Sequence, residues 1–223
     1  MSIRENLLKI LSELPPHVKL VAVTKTHPVE VIREAYDAGH KIYGENKAQE
    51  MKLKQALLPA DVQWHFIGHL QTNKVKYIAP FVKLIHSVDS LKLLSEINKE
   101  GQKHNRLIPC LLQFHIATEE TKFGLNFDEA CQLLESAEYK SFKNIQLYGV
   151  MGMATYTENA QLIRQEFRQL RSYFDQIKKA YFPADDRFHE ISMGMSNDYQ
   201  IAIEEGSTLV RIGSAIFGER HYK

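Results

Sequence analysis

The chain has 223 residues, of which 44% are hydrophobic and 25% charged, a composition typical of a globular domain that buries one core. Its 28 Lys and Arg against 27 Asp and Glu leave a net charge of +1 with no long block of one sign, which argues against nucleic-acid and membrane-surface partners. No apolar run approaches the roughly 20 residues of a membrane span, no signal core opens the chain, and the two cysteines form no CxxC pair, so we expect a cytoplasmic protein.

Short β-branched or aromatic runs alternate with stretches of helical period along the chain. A leading helix over 2–14 ends at two prolines, and the strand-helix pattern then repeats eight times. We predict strands over 19–24, 41–44, 62–67, 84–88, 108–115, 146–150, 188–192 and 209–212. We predict helices over 29–38, 47–57, 73–79, 90–100, 127–136, 160–180 and 198–205, followed by a short tail over 217–222.

Strict alternation of strands and helices predicts a parallel sheet with right-handed crossovers, and eight units close into a barrel with helices outside. An open doubly wound sheet is the alternative, but that class typically has a glycine-rich turn after its first strand, where this chain reads TKTHP over 24–28. No linker or repeat indicates a second domain. The prediction is therefore a single (β/α)8 barrel domain over 1–223 with an extra N-terminal helix.

The first predicted strand ends in Lys25, and barrel enzymes build their sites at the C-terminal ends of the strands. By period-two alternation, Lys25 shares the face of Val21 and Val23. If that face lines the barrel, desolvation favours the neutral amine, which is the form that attacks a carbonyl group. The alternative is a solvated lysine at a strand end.

The turns after strands seven and eight are rich in glycine and serine, reading SMGMSND over 192–198 and RIGSAIFG over 211–218. Loops at these two places form the recurrent phosphate site of the barrel fold, although each turn alone could be an ordinary helix cap. With Lys25, they suit a ligand that has a phosphate at one end and an aldehyde at the other, as pyridoxal phosphate has. A sugar phosphate held by a Schiff-base aldolase is the alternative.

Seven segments of the chain resemble the pyridoxal phosphate homeostasis family, which is related to the N-terminal barrel of alanine racemase. They are AVTKT over 22–26, YGEN over 43–46, WHFIGHLQ over 64–71 with NK over 73–74, KFG over 122–124, GVMGM over 149–153, SMGMS over 192–196 with Asp198, and RIGS over 211–214 with IFG over 216–218.

The resemblance implies that the cofactor is pyridoxal phosphate, held as a Schiff base on Lys25. It also implies that Asn46 lies against the cofactor, that Arg211 approaches the pyridine nitrogen, and that Met151 or Met153 contacts the ring, with simple packing as the alternative for either methionine. Around the phosphate it places Ser192, Met193, Gly194, Ser196, Gly213 and Ser214.

His65 and His69 have a spacing that binds zinc on a helix, but at a strand exit they should point in unrelated directions, so we predict no metal site. We expect His65 to be a hydrogen-bonded barrel residue that faces the cofactor.

An arginine at the pyridine nitrogen would leave that nitrogen unprotonated and make the ring a poor electron sink. Racemisation needs a base on each face of the substrate carbon, and the resemblance places the second base in a domain that residues 1–223 do not contain. We therefore expect a non-catalytic carrier or buffer of pyridoxal phosphate in vitamin B6 homeostasis, acting as a monomer and supplying pyridoxal-phosphate-dependent apoenzymes. A weak amino-acid racemase is the alternative.

Overall fold

The structure, a computed structural model, describes residues 2–119 and 123–218. Eight parallel strands close into one barrel in which each strand pairs with its neighbours in chain order and the last pairs with the first. The predicted (β/α)8 architecture is therefore confirmed. Lys122 and the part of the predicted tail beyond 218 lie outside the described residues.

All eight predicted strands are present. They are β1 Lys19–Val23, β2 Ile42–Glu45, β3 Gln63–Phe66, β4 Leu84–Val88, β5 Ile108–Phe114, β6 Ile145–Gly152, β7 Glu190–Ser192 and β8 Leu209–Ile212. The largest difference is in β6, which continues two residues beyond the predicted end at 150. The register against β5 shifts near Gly149, which has φ +151° and lies so close to β7 that a Cβ atom there would be 1.8 Å from the Glu190 carbonyl oxygen. After this irregularity β6 stays paired with β5 as far as Gly152.

Helices cover the outside of the barrel. They are α1 Ile3–Glu13, α2 Val29–Asp37, α3 Ala48–Leu57, α4 Val75–Ile78, α5 Leu91–Lys103, α6 Phe127–Glu135, α7 Ala137–Ser141, α8 Ala160–Tyr181, α9 Tyr199–Glu204 and α10 Ser214–Phe217. The sequence predicted neither α7 nor α10, since only a tail over 217–222 was expected after the last predicted strand. Ser136 ends α6 and then caps α7 by accepting a hydrogen bond from the Tyr139 amide, so one residue both stops a helix and starts the next.

The strands bury two separate apolar clusters. Leu20 and Ala22 of β1 pack outward in the large cluster between barrel and helices, whereas Val21 points into the barrel. The inner cluster is Val21, Leu84, Leu111, Met151 and Leu209. At the N-terminal end of the barrel, the Lys19 ammonium lies 2.5 Å from the Glu190 carboxylate. The inner cluster and this ion pair fill part of the barrel interior. Barrel enzymes build their sites at the C-terminal ends of the strands, which we call the mouth.

Within the described ranges, no helix has the length and apolar character that crossing a membrane requires.

Candidate functional site

Lys25 lies in the turn that directly follows β1, at the mouth of the barrel. The turn is anchored by the Thr24 amide, which donates to the Gly44 carbonyl oxygen at 3.0 Å, and by the His27 amide, which donates to the Thr24 carbonyl oxygen at 3.0 Å. Lys25 is half-buried. Its desolvation is therefore smaller than alternation predicts, because β1 ends at Val23 and Lys25 leaves the barrel wall in a turn.

A partly buried ion-pair cluster, which we call the Lys54 clamp, contacts this turn. It consists of Lys54, Glu45 and Glu50 together with Thr24 and Thr26. The Lys54 ammonium lies 2.7 Å from both carboxylates, and it donates to the Thr24 carbonyl oxygen at 2.8 Å. Burial raises the pKa of Glu45. Burial also acts to raise the pKa of Glu50, but hydrogen bonds from Lys54 and Thr26 outweigh it and hold that pKa below its ordinary value.

The turns after β7 and β8 lie together, as the sequence predicted. The Gly213 amide donates to the Ser196 hydroxyl oxygen at 3.3 Å, which links the two turns directly. A Cβ atom on Gly213 would lie 3.2 Å from the Val23 carbonyl oxygen, so this glycine lets the second turn approach the end of β1, just before the Lys25 turn. Ser196 is half-buried and Ser214 is exposed, so both hydroxyl groups are accessible to a ligand at the mouth.

Gly194 gives the first turn its shape. Its φ of +95° belongs to the left-handed region, and a Cβ atom would lie 2.6 Å from the Cβ atom of Ala202 in α9. The glycine is therefore required both by the backbone and by the contact with α9. Asp198 closes the same turn by accepting a hydrogen bond from the Met195 amide.

The Met193 side chain belongs to the large apolar cluster. It is fully buried between barrel and helices, and the Met193 amide donates to the Leu209 carbonyl oxygen at 3.2 Å. A contact between Met193 and phosphate stays a prediction that only the resemblance supports.

A chain of four polar side chains, which we call the interior chain, runs inside the barrel. Arg211 donates through Nη1 to the Ser192 hydroxyl oxygen at 2.6 Å and through Nη2 to the Gly152 carbonyl oxygen at 3.1 Å. The same hydroxyl oxygen lies 2.8 Å from Nδ1 of His86, and Nε2 of His86 lies 2.9 Å from Nδ1 of His65. Each of the four residues is at most 5% exposed.

Burial fixes the charges along the interior chain. It lowers the pKa of His65 to about 3 and that of His86 well below 6.5, so both rings are neutral at neutral pH. It lowers the pKa of Arg211 to about 10, which still leaves the guanidinium group charged. Arg211 can only donate, so the Ser192 hydroxyl oxygen accepts from Arg211 and its O–H donates to Nδ1 of His86. The Nε2–H group of His86 then donates to Nδ1 of His65.

One expected site residue, Ser192, belongs to the interior chain, and its contact with phosphate stays a prediction. Ser192 was expected beside the phosphate, yet its hydroxyl group is already hydrogen bonded to Arg211 and His86 inside the barrel. The expected hydrogen bonding of His65 inside the barrel is present. Sequence reasoning missed His86, although the run LIHSV over 84–88 places a histidine in a largely apolar strand next to the strand of His65.

His65 and His69 point apart, as expected. The His69 ring stacks on Phe123 with ring centres 3.8 Å apart, and its Nδ1 atom lies 3.3 Å from the Asp89 carboxylate. Among the residues that the structure covers, no group of three or more His, Cys, Asp or Glu side chains is arranged to hold a metal ion.

Two further candidates sit at strand ends. Asn46 follows β2, and its side-chain oxygen is buried with no hydrogen-bond partner within the described part of the chain. Buried polar atoms are nearly always hydrogen bonded, so this oxygen is suited to a donor from a ligand. Met151 is fully buried in the inner cluster, which favours packing, while Met153 is half-buried just beyond the end of β6.

Comparison with known proteins finds related sequences over nearly the whole chain. The family described as alanine racemase, N-terminal domain, matches residues 1–221. The pyridoxal phosphate homeostasis protein of Aquifex aeolicus (strain VF5) is 46% identical over 206 residues, which cover 92% of this chain and 88% of that protein.

Solved structures of similar proteins match nearly the whole chain as well. PipY of Synechococcus elongatus PCC7942 without pyridoxal phosphate has a TM-score of 0.91 and 34% sequence identity, covering 97% of this chain and 100% of the other. The structure of PipY with pyridoxal phosphate bound has a TM-score of 0.87 at the same identity and coverage.

Proposed function

The chain belongs to the pyridoxal phosphate homeostasis protein family, and from that premise we propose that it holds pyridoxal phosphate as a Schiff base on Lys25 in intracellular vitamin B6 homeostasis. The observation that carries the proposal is the grouping of three features at one end of a single barrel. They are the half-buried Lys25 turn, the two linked glycine-serine turns, and the buried Arg211 cation.

The residues at the mouth fit this cofactor. The unpartnered oxygen of Asn46 supplies an acceptor. Gly194 and Gly213 let the two turns pack closely against Ala202 and Val23, where a Cβ atom would clash. When bound, pyridoxal phosphate supplies an aldehyde that condenses with an amine and releases water. Lys25 provides that amine, and Ser196, Gly213 and Ser214 surround the phosphate.

Arg211 faces the pyridine nitrogen in this proposal and holds it unprotonated, because a buried guanidinium group disfavours a second positive charge beside it. Arg211 makes hydrogen bonds to Ser192 and Gly152, and the negative charge of Asp198 partly offsets the effect of burial on its pKa. A ring held in this way withdraws electrons weakly. The arrangement supports a carrier or buffer more than an efficient enzyme.

We also propose that the protein works in the cytoplasm as a monomer and passes its cofactor to pyridoxal-phosphate-dependent apoenzymes. Partial exposure of Lys25 supports this, since a fully buried attachment site would resist exchange with an incoming amine. A monomer leaves the mouth accessible to a recipient.

The proposal is tested by titrating the protein with pyridoxal phosphate and recording the visible absorbance of the Schiff base. The wild type should become yellow with one equivalent, and Lys25→Ala should lose the band. Lys41→Ala is the matched control, because Lys41 is an exposed lysine that pairs with Asp61 on the surface. An undiminished band in Lys25→Ala would show that another amine holds the cofactor.

A further inference from the structure

The residue after Lys25 has a strained backbone. Thr26 has φ +70°, in the left-handed region that β-branched residues rarely enter. The other described residue of this kind apart from glycine is Asn105, and asparagine tolerates the region well. Holding Thr26 there costs roughly 1–3 kcal/mol, so the surrounding structure must stabilise this conformation.

The Lys54 clamp supplies that stabilisation. The Thr26 amide donates to Oε1 of Glu50 at 2.8 Å, and the same oxygen accepts a hydrogen bond from the Lys54 ammonium at 2.7 Å. Lys54 also donates to the Thr24 carbonyl oxygen. The residues on both sides of Lys25 are therefore tied to one ion pair, and helix α3 supplies both of its members.

The inner half of the clamp is deeply buried. Lys54 is 6% exposed and Glu45 is 0% exposed, and Glu45 Oε1 accepts from Lys54 at 2.7 Å and from the Thr24 hydroxyl group at 2.6 Å. Burying a lysine is costly unless it is paired and hydrogen bonded, so this arrangement differs in kind from a surface ion pair. It fixes α3 against the end of β1.

We propose that Lys54 and Glu50 are positioning residues for Lys25: the clamp holds the strained turn in the one conformation from which the Lys25 amine reacts. The inference rests on the proposed attachment of pyridoxal phosphate to Lys25. Without the clamp, a threonine at 26 relaxes out of the left-handed region and the turn loses its fixed direction. A glycine at 26 adopts the same conformation without strain and makes the clamp less necessary.

The first test uses Glu50→Ala, which removes the acceptor of the Thr26 amide at a partly exposed position. Absorbance measures Schiff-base formation with pyridoxal phosphate. We expect its rate or its equilibrium constant to fall about tenfold, which corresponds to the loss of one charge-assisted hydrogen bond. Adding Thr26→Gly to Glu50→Ala should restore most of the loss. Glu34→Ala, at an exposed site in α2, should behave as the wild type.

If Glu50 only stabilised the fold, Glu50→Ala would lower stability, and adding Thr26→Gly would not restore Schiff-base formation. Wild-type reaction in Glu50→Ala, or no recovery in the double variant, would overturn the proposal. Lys54→Met gives a second measurement and should show the same loss, with Lys41→Met as its control; if Lys54→Met does not fold, the Glu50 series decides alone.

Amide hydrogen exchange without any cofactor separates this inference from the proposed function. The Thr26 amide should exchange faster in Glu50→Ala than in the wild type and in Glu34→Ala. If the wild type forms no adduct on Lys25, the proposed function fails whatever the exchange shows. If the wild type forms the adduct and Thr26 exchange is unchanged in Glu50→Ala, the clamp proposal fails alone.

Discussion

Arg211 donates a hydrogen bond to the Ser192 hydroxyl oxygen over 2.6 Å inside the barrel, and that oxygen is itself 2.8 Å from His86. A buried cation is thus anchored through one serine to a neutral histidine pair. The anchoring gives Arg211 a fixed position below the mouth, which a carrier needs if one cation is to set the protonation state of a bound ring.

Ser192→Ala should destabilise the protein, because it leaves an Arg211 donor and the His86 Nδ1 atom without a partner in the interior. We expect the free energy of unfolding to fall by about 2 kcal/mol, as measured by urea denaturation. Ser172→Ala, on the exposed face of α8, should change it by less than about 0.5 kcal/mol. Equal effects of the two substitutions would show that the interior chain adds nothing to stability.

The neutral histidines predict a pH dependence of stability. Between pH 5 and 6 His65 and His86 stay neutral in the folded protein, because burial lowers both pKa values, whereas each ring takes up a second proton in the unfolded chain. Stability is therefore fully present above the unfolded pKa of about 6.5 and falls as pH decreases below it, by up to about 1.4 kcal/mol per pH unit for each histidine.

His86→Gln should reduce this slope by about one proton, as measured by urea denaturation at several pH values. His17→Gln, at an exposed position, is the control and should leave the slope unchanged. An unaltered slope in His86→Gln would mean that His86 is protonated in the folded protein.

Gly194→Ala should weaken both stability and cofactor binding. Gly39 has a similar φ of +99° but nothing within 4 Å of a new Cβ atom, so Gly39→Ala isolates the backbone strain. We expect Gly39→Ala to cost about 1 kcal/mol in unfolding free energy, and Gly194→Ala to cost at least about 1 kcal/mol more because of the contact with Ala202. Only Gly194→Ala should reduce the affinity for pyridoxal phosphate. The same affinity loss in both variants would contradict the placement of the phosphate turn.

A carrier should not exchange the α-protons of amino acids at enzymatic rates. NMR of alanine and other amino acids in deuterated water should show that the loaded protein exchanges α-protons at most about tenfold faster than free pyridoxal phosphate does. Rapid exchange that disappears in Lys25→Ala would establish a racemase-like enzyme instead.

The sequence was sufficient to predict the barrel and to single out candidate site residues, since eight alternating segments and the residues that leave β1, β7 and β8 are local features. It was not sufficient for the partners of those residues. Lys54 lies 30 positions from Thr24 and His86 lies 106 positions from Ser192, so only the closed barrel brings them together. The irregularity at Gly149 likewise depends on the close approach of β7, which strand periodicity does not report.

Attachment of pyridoxal phosphate to Lys25 is tested most directly by reducing the loaded protein with borohydride and mapping the modified peptide by mass spectrometry. We expect one pyridoxyl phosphate group per chain, on the peptide that contains Lys25. A modification on a different lysine, or a sugar phosphate on Lys25, would contradict this attachment.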